Sequence, residues 1–162
     1  MIRDFLESFK YSGFMFPVGL LRIYIGYNFF TQALSKMQSD YFVHPLIAAK
    51  ITEWLPYSQA PDWYKSWLEV DIIPNENWKT LAYAITFIET TIGVSFLIGF
   101  FIRPIALLGS LLMVHYIWAQ GLELVPYYQM QIVLFFVLFL LGAGRSMGVD
   151  YYFYKTQRGF LW

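Results

Sequence analysis

The residues best suited to chemistry are few, and each stands inside an apolar run. Arg22, Lys36, Glu89 and His115 interrupt stretches dominated by Leu, Ile, Phe and Ala, and Gln32 and Gln131 have similar neighbours. An ionisable group in such surroundings is costly unless it is paired, so it marks a packing lock, a ligand site or a proton site. On a helical wheel Arg22, Gly26, Phe29, Ala33 and Lys36 form one stripe, and Ala82, Thr86, Glu89 and Gly93 form another. Small residues permit close approach, so these stripes should face each other, with Arg22 and Glu89 as the expected intramembrane ion pair. Lys36, Gln32, Glu89 and Gln131 make a candidate pocket for a quinone headgroup or a small anion, with Lys36 as the cation. Asn28, Gln120, Gln129 and Tyr27, Tyr116, Tyr127 and Tyr128 lie near them in the pattern. His115 sits about half a turn from the small stripe Ala106, Gly109 and Met113. It reads either as a hydrogen-bonded packing residue or as the ligand of a five-coordinate haem or pigment. No zinc, calcium or phosphate-loop spacing is present, so no metal site is expected.

Helices must position these groups. Hydrophobic residues make up 58% of the 162 residues and charged ones 14%, where a soluble domain has about 45–50% and about 25%. Four windows approach the roughly 20 apolar residues that cross a bilayer: 17–37, 79–101, 104–124 and 127–143. None alternates as a barrel strand does. The predicted fold is all-α and integral to the membrane, an antiparallel four-helix transmembrane bundle in a single domain, 1–162. Formal net charge is zero and there are no cysteines. This excludes a basic nucleic-acid surface, disulfides, thiolate metal sites and a thiol nucleophile within the chain.

Between the first two windows, residues 38–78 carry Trp54, Trp63, Trp67 and Trp78 with Pro56, Pro61 and Pro74. Indoles favour the headgroup level, so this segment is expected as an interfacial outer cap, an anchor or a lid, with a short helix in 44–54 whose apolar side is Leu46, Ile47, Ile51 and Leu55. Residues 2–11 suggest a separate amphipathic segment through Ile2, Phe5, Leu6 and Phe9, and no cleavable signal is expected. Arg3, Lys10, Arg103, Arg145, Lys155 and Arg158 fall on one side of the membrane, against Lys36, Lys50, Lys65 and Lys79 on the other. The positive-inside bias places both termini in the cytoplasm and the protein in the cytoplasmic (inner) membrane.

The run LLRIYIGYNFFTQALSKM, the stretches PDWYKSWLEVDIIPNENW and FIETTIGVSFLIGFFIRPIALLGSLLMVHYIWAQG, and the ending GAGRSMGVDYYF resemble the DoxX family, and within it the DoxD-like branch. That branch includes the membrane component of thiosulfate:quinone oxidoreductase. Many members have His-Gly where this chain has Gln32-Ala33. The resemblance implies a four-helix membrane subunit, quinone as the cofactor, and lipid and other membrane or redox subunits as partners. Gly142 and Gly144 suit the end of the fourth helix, Arg145 suits its terminal carbonyls, and Asp150 suits pairing with Arg145 or Arg103.

Two functional classes stay open. One is a subunit of a quinone-linked oxidoreductase; the other is a non-catalytic accessory subunit of a respiratory or photosynthetic complex. Whether the chain is itself an enzyme is not set by these residues.

Overall fold

The computed structural model describes residues 2–74, 76–119, 122–146 and 148–157, with side chains described within residues 15–155. Those residues form seven α-helices linked by 3-10 and π turns, without a strand among them. The helices are α1 (Ile2–Gln38), α2 (Leu46–Trp54), α3 (Asp62–Trp67), α4 (Trp78–Ile98), α5 (Ile102–Ala119), α6 (Val125–Leu141) and α7 (Asp150–Gln157). Three stretches are long and apolar enough to cross a membrane: Trp78–Ile98, Ile102–Ala119 and Leu122–Leu141. The remaining window, 17–37, lies inside α1. The backbone of α1 is one 37-residue helix that continues through Pro17, although the ring removes one backbone hydrogen bond there. The separate segment expected at residues 2–11 is therefore the start of this helix, and the side chains of Ile2, Phe5, Leu6 and Phe9 lie outside the described residues.

The contact that sets the register is α1 against α4. A Cβ added to Gly93 would lie 2.7–2.9 Å from the backbone and Cβ of Phe30, and one on Gly26 would lie 2.8–2.9 Å from Phe96 Cβ and Leu97 N. The two helices touch backbone to backbone at these points, as small residues allow. Gly26 is thus level with Phe96 and Leu97, and Phe30 with Gly93. Continued at the same antiparallel pitch, residues 33–34 are level with Glu89, and Arg22 is level with residues 100–101. Helix α5 packs mainly on α6, and α4 joins the two pairs through α5. Phe135 of α6 closes the centre, 5.6 Å from the ring of Phe29 and 5.6 Å from that of Phe96.

Local chemistry ends the helices close to the predicted limits. Gly99 stops α4 in the left-handed region with φ 76°, and Gly142 ends α6. Phe101 takes φ 54°, which is unusual for an aromatic residue. It is held by Asp150, whose Oδ1 accepts the Phe101 N–H at 2.8 Å and whose Oδ2 accepts the Ile102 N–H at 3.1 Å. Asp150 therefore caps the first turn of α5 with its own carboxylate.

Residues 38–78 fold over one end of the helices. Ile47, Ala48 and Ile51 of α2 are buried, while Leu46 turns outward, which narrows the expected apolar face. The segment is fastened to α5: Ser58 Oγ donates to the Trp118 carbonyl at 2.5 Å, and Tyr64 shares a 2.6 Å hydrogen bond with His115 Nδ1.

Gly93→Leu should push α1 off α4. Overpacking a close-packed core costs about 1–3 kcal/mol, and backbone neighbours place this case at about 3 kcal/mol. A chemical-denaturation series in detergent checks it, with Val94→Leu, a lipid-facing position 39% exposed, expected to be nearly neutral.

Candidate functional site

Three helices deliver one polar cluster beneath the cap end. Lys36, in the last turn of α1, donates from Nζ to Glu89 Oε1 at 2.6 Å and Oε2 at 2.7 Å. Tyr116 of α5 donates to Glu89 Oε1 at 2.5 Å, and its hydroxyl lies 3.3 Å from Lys36 Nζ. The Glu89 side chain is fully buried, whereas that of Lys36 is 23% exposed. A buried carboxylate is tolerable because the ammonium offsets its charge and the tyrosine fills a remaining lone pair. Lys36 Nζ also lies 5.5 Å from the centre of the Tyr41 ring, a cation–π arrangement. Burial, and then the Glu89 carboxylate nearby, push the Tyr41 hydroxyl up to about 12, so it remains a neutral donor.

A cavity of about 210 Å³ opens beside this cluster. Gln32 and Tyr127 are exposed at its rim, Glu89 and Tyr116 stand at its back, and Phe29, Met113 and Tyr128 supply apolar wall. Gln131 donates from Nε2 to the Tyr127 hydroxyl at 3.0 Å, while its Oε1 is buried without a hydrogen-bond partner. The structure thus brings together Lys36, Gln32, Glu89 and Gln131 around one space, and it offers an acceptor at Gln131, a carboxylate at Glu89 and a cation at Lys36. Gln120, of the wider polar set, lies outside the described residues.

The expected Arg22–Glu89 pair is corrected. Arg22 is fully buried at the opposite end, where Nη1 donates to the carbonyls of Ala143 at 3.1 Å and Ser146 at 3.0 Å. A side chain on Gly99 or Gly148 would strike its guanidinium. The reason is register. With residues 33–34 level with Glu89, Arg22 stands eleven or twelve residues away along the axis, roughly 17 Å at 1.5 Å per residue. Lys36 is within one turn and takes the carboxylate. The wheel gave the correct faces but carried no axial information. Asp150, expected opposite Arg145 or Arg103, interacts electrostatically with both and also accepts from the backbone N–H groups of Phe101 and Ile102. Arg22 donates to carbonyls that follow α6, and the Arg145 guanidinium lies 3.8 Å over the Tyr154 ring.

His115 is fastened through Nδ1 to Tyr64, a tyrosine whose hydroxyl burial pushes up and keeps neutral. It lies against an apolar cleft with Trp63, Trp67 and Trp118. Among the described residues no group of three His, Asp or Glu is placed to hold a metal ion.

Tyr116, expected in the polar set around the pocket, does line it, and its bond to Glu89 is the part that sequence reasoning missed. The buried stripe Ala106, Gly109 and Met113 reaches it at the next helical step, and that spacing was the available signal.

Fold and site together define a helical membrane protein with a charged cluster and a cavity under a capped end. Residues 18–121 match the family model described as DoxX. The chain belongs to the DoxX family. The matched stretch holds Arg22, Lys36, Glu89, His115 and Tyr116 and ends before α6, so Gln131 and the 142–153 ending lie beyond it. No curated protein and no solved structure matches the chain significantly.

Breaking a buried pair costs about 3–5 kcal/mol, whereas replacing both members by apolar residues is often near neutral. Lys36→Met and Glu89→Leu should each lower stability by about 3 kcal/mol in detergent, and the double variant should recover most of the loss. Arg22→Met combined with Glu89→Leu should instead be additive, because these two groups do not meet. Denaturation midpoints of the wild type, the three single variants and the two double variants decide between the two patterns.

Proposed function

We propose that this chain is the DoxD-like membrane subunit of a quinone-linked oxidoreductase, and that the cavity beside Lys36, Glu89 and Tyr116 receives the headgroup of a quinol or quinone from the lipid. The observation that carries the reading is Gln131, which lines the cavity and whose buried Oε1 has no hydrogen-bond partner. A buried carbonyl oxygen with no donor costs about 1–3 kcal/mol, and a hydroxyl on a bound ring satisfies it. Lys36 suits a ring carbonyl, and Glu89 suits a second hydroxyl and its proton. Phe29, Met113 and Tyr128 suit the ring itself. Reduction of a bound quinone takes up two electrons and two protons; the chain's residues bind the headgroup, orient it and hold the proton. The electrons come from a partner subunit, since the sequence offers no thiol.

In this reading α1 is the fourth span. Residues 17–37 give about 32 Å of helix, against about 30 Å of hydrocarbon. Its outward side is Phe16, Leu20, Tyr24, Tyr27 and Leu34, while Arg22 and Lys36 turn to partners inside. Polar groups facing the protein and apolar groups facing lipid are what a span requires. The four spans form an antiparallel bundle in the inner membrane with both termini cytoplasmic and the cap outside, the orientation supported by the Lys and Arg bias.

Two measurements test this. An impermeant thiol reagent on intact cells should label Glu53→Cys in the cap and spare Tyr152→Cys in the tail; the reverse pattern overturns the orientation. Purified protein in nanodiscs should bind a short-chain quinol, and Lys36→Met and Gln131→Leu should each weaken binding about tenfold, the effect of losing one buried hydrogen bond of about 1.4 kcal/mol. Wild-type binding by both folded variants would sink the pocket reading and favour the accessory subunit.

A further inference from the structure

The cleft beside His115 lies on a different face of α5 from the cavity of the Lys36 cluster. Leu111, Val114, His115 and Trp118 turn to the cleft, Met113 and Tyr116 to the cavity. The cleft has a volume of about 500 Å³, within the range of about 300–1,000 Å³ usual for small-molecule sites. Four aromatic rings gather around it. The Tyr64 ring lies 5.1 Å from that of Trp118 and 5.9 Å from that of Trp67, and the Trp63 ring lies 5.9 Å from that of Trp118. Trp63 is 66% exposed, and Leu111, 68% exposed, leaves the α5 side of the cleft open to lipid. Anchoring at the headgroup level needs indoles there, but not rings gathered around a space of this size.

The polar atoms of this lining are mostly donors. None of the three indole N–H groups has a hydrogen-bond partner among the described residues. The neutral Tyr64 hydroxyl has one such partner, His115 Nδ1 at 2.6 Å, so it donates there and the imidazole proton sits on Nε2. That N–H too has no partner among the described residues. The lining side chains include no carboxylate and no amide oxygen. The cavity of the Lys36 cluster, in contrast, presents acceptors at Glu89 and Gln131.

We propose that the cleft between α3 and α5 is a second ligand site, for a planar, electron-poor ring bearing carbonyl oxygens, and that it holds the oxidised quinone. The identity of the ring rests on the reading of the first cavity as a quinone site. Indole faces are electron-rich and stack on such a ring, and N–H groups donate to its carbonyls. A quinol presents hydroxyl donors where the cleft already offers donors, so the cleft favours the oxidised form. Glu89 and Gln131 accept from hydroxyls and favour the reduced one. Helix α5 stands between the two sites, so a ring moves from one to the other through the lipid. The cleft keeps an oxidised ring at the cap end, beside the cavity that it enters once a reduced ring has left.

Duroquinone, a benzoquinone without a tail, is the probe. Protein in nanodiscs is dialysed to equilibrium against it, and the uptake of protein-free nanodiscs is subtracted. The wild type should take up two equivalents. Val114 lines the cleft and not the first cavity, so Val114→Trp should fill the cleft and abolish one equivalent. Leu111→Trp serves as a second filling variant should Val114→Trp fail to fold. His115→Phe keeps a flat ring but removes the N–H, and should weaken the cleft site about tenfold. In protein carrying Lys36→Met, where the cleft is read with the first cavity weakened, durohydroquinone dialysed without oxygen should bind the cleft about tenfold more weakly than duroquinone. Unchanged uptake by the folded filling variant, or equal binding of the two forms at the cleft, overturns the proposal. A single equivalent that Val114→Trp abolishes and Lys36→Met leaves untouched supports the cleft and overturns the first cavity instead, so the two failures are distinguishable. No uptake by the wild type overturns both.

Discussion

The close approach of α1 to α4 is the constraint on which the rest depends. Gly26 and Gly93 let the two backbones meet where any side chain would collide with Phe96, Leu97 or Phe30. That contact fixes rotation and axial register together. Once it is made, Arg22 must lie at one end of the pair and Lys36 at the other. Glu89 then has one cation within a turn, and the carbonyls that close α6 must come to Arg22.

The two ends solve the problem of a buried cation differently. A guanidinium offers several donors in a plane and suits a set of carbonyls. Arg22 sits on the Ala143 and Ser146 oxygens, in a turn stitched to the α4–α5 corner by Val149 N to Ile98 O and Asp150 N to Gly99 O. This end is tied by backbone. An ammonium is a compact point charge and suits a carboxylate, and Lys36 takes both oxygens of Glu89. The cap end is tied by side chains that carry exchangeable protons, and the cavity that reaches the cluster lies there. The chemistry gathers where the fastening is ionic.

Much of this was legible in the sequence. Apolar windows located α4, α5 and α6 to within a few residues, because Gly99 and Gly142 end helices for a local reason. The stripe through Gly26 and the stripe through Gly93 identified facing surfaces, because three- and four-residue spacing is a property of the helix itself. The pocket residues were legible because polar groups in apolar runs stand out. The partner of Glu89 was not, since pairing depends on axial register, and register depends on glycine contacts between segments about 65 residues apart. Asp150 as the cap of α5 was equally hidden, because it arrives from beyond α6 and meets backbone, which carries no sequence signal. Leu46 turned outward because α2 rests on the bundle through a narrower face than its hydrophobic pattern implied.

The bond from Arg22 to Ala143 spans 121 positions, and this has a consequence for biosynthesis. Arg22 is made long before the carbonyls that receive it. Asp150 likewise reaches the start of α5 only after α6 has been laid down. A ribosome that stops short of α6 leaves a chain whose arginine lacks these acceptors and whose α5 begins without its carboxylate. Completion of the tail is therefore what converts a set of helices into the finished fold, and nascent or truncated forms differ from the mature one by a buried charge without these carbonyls.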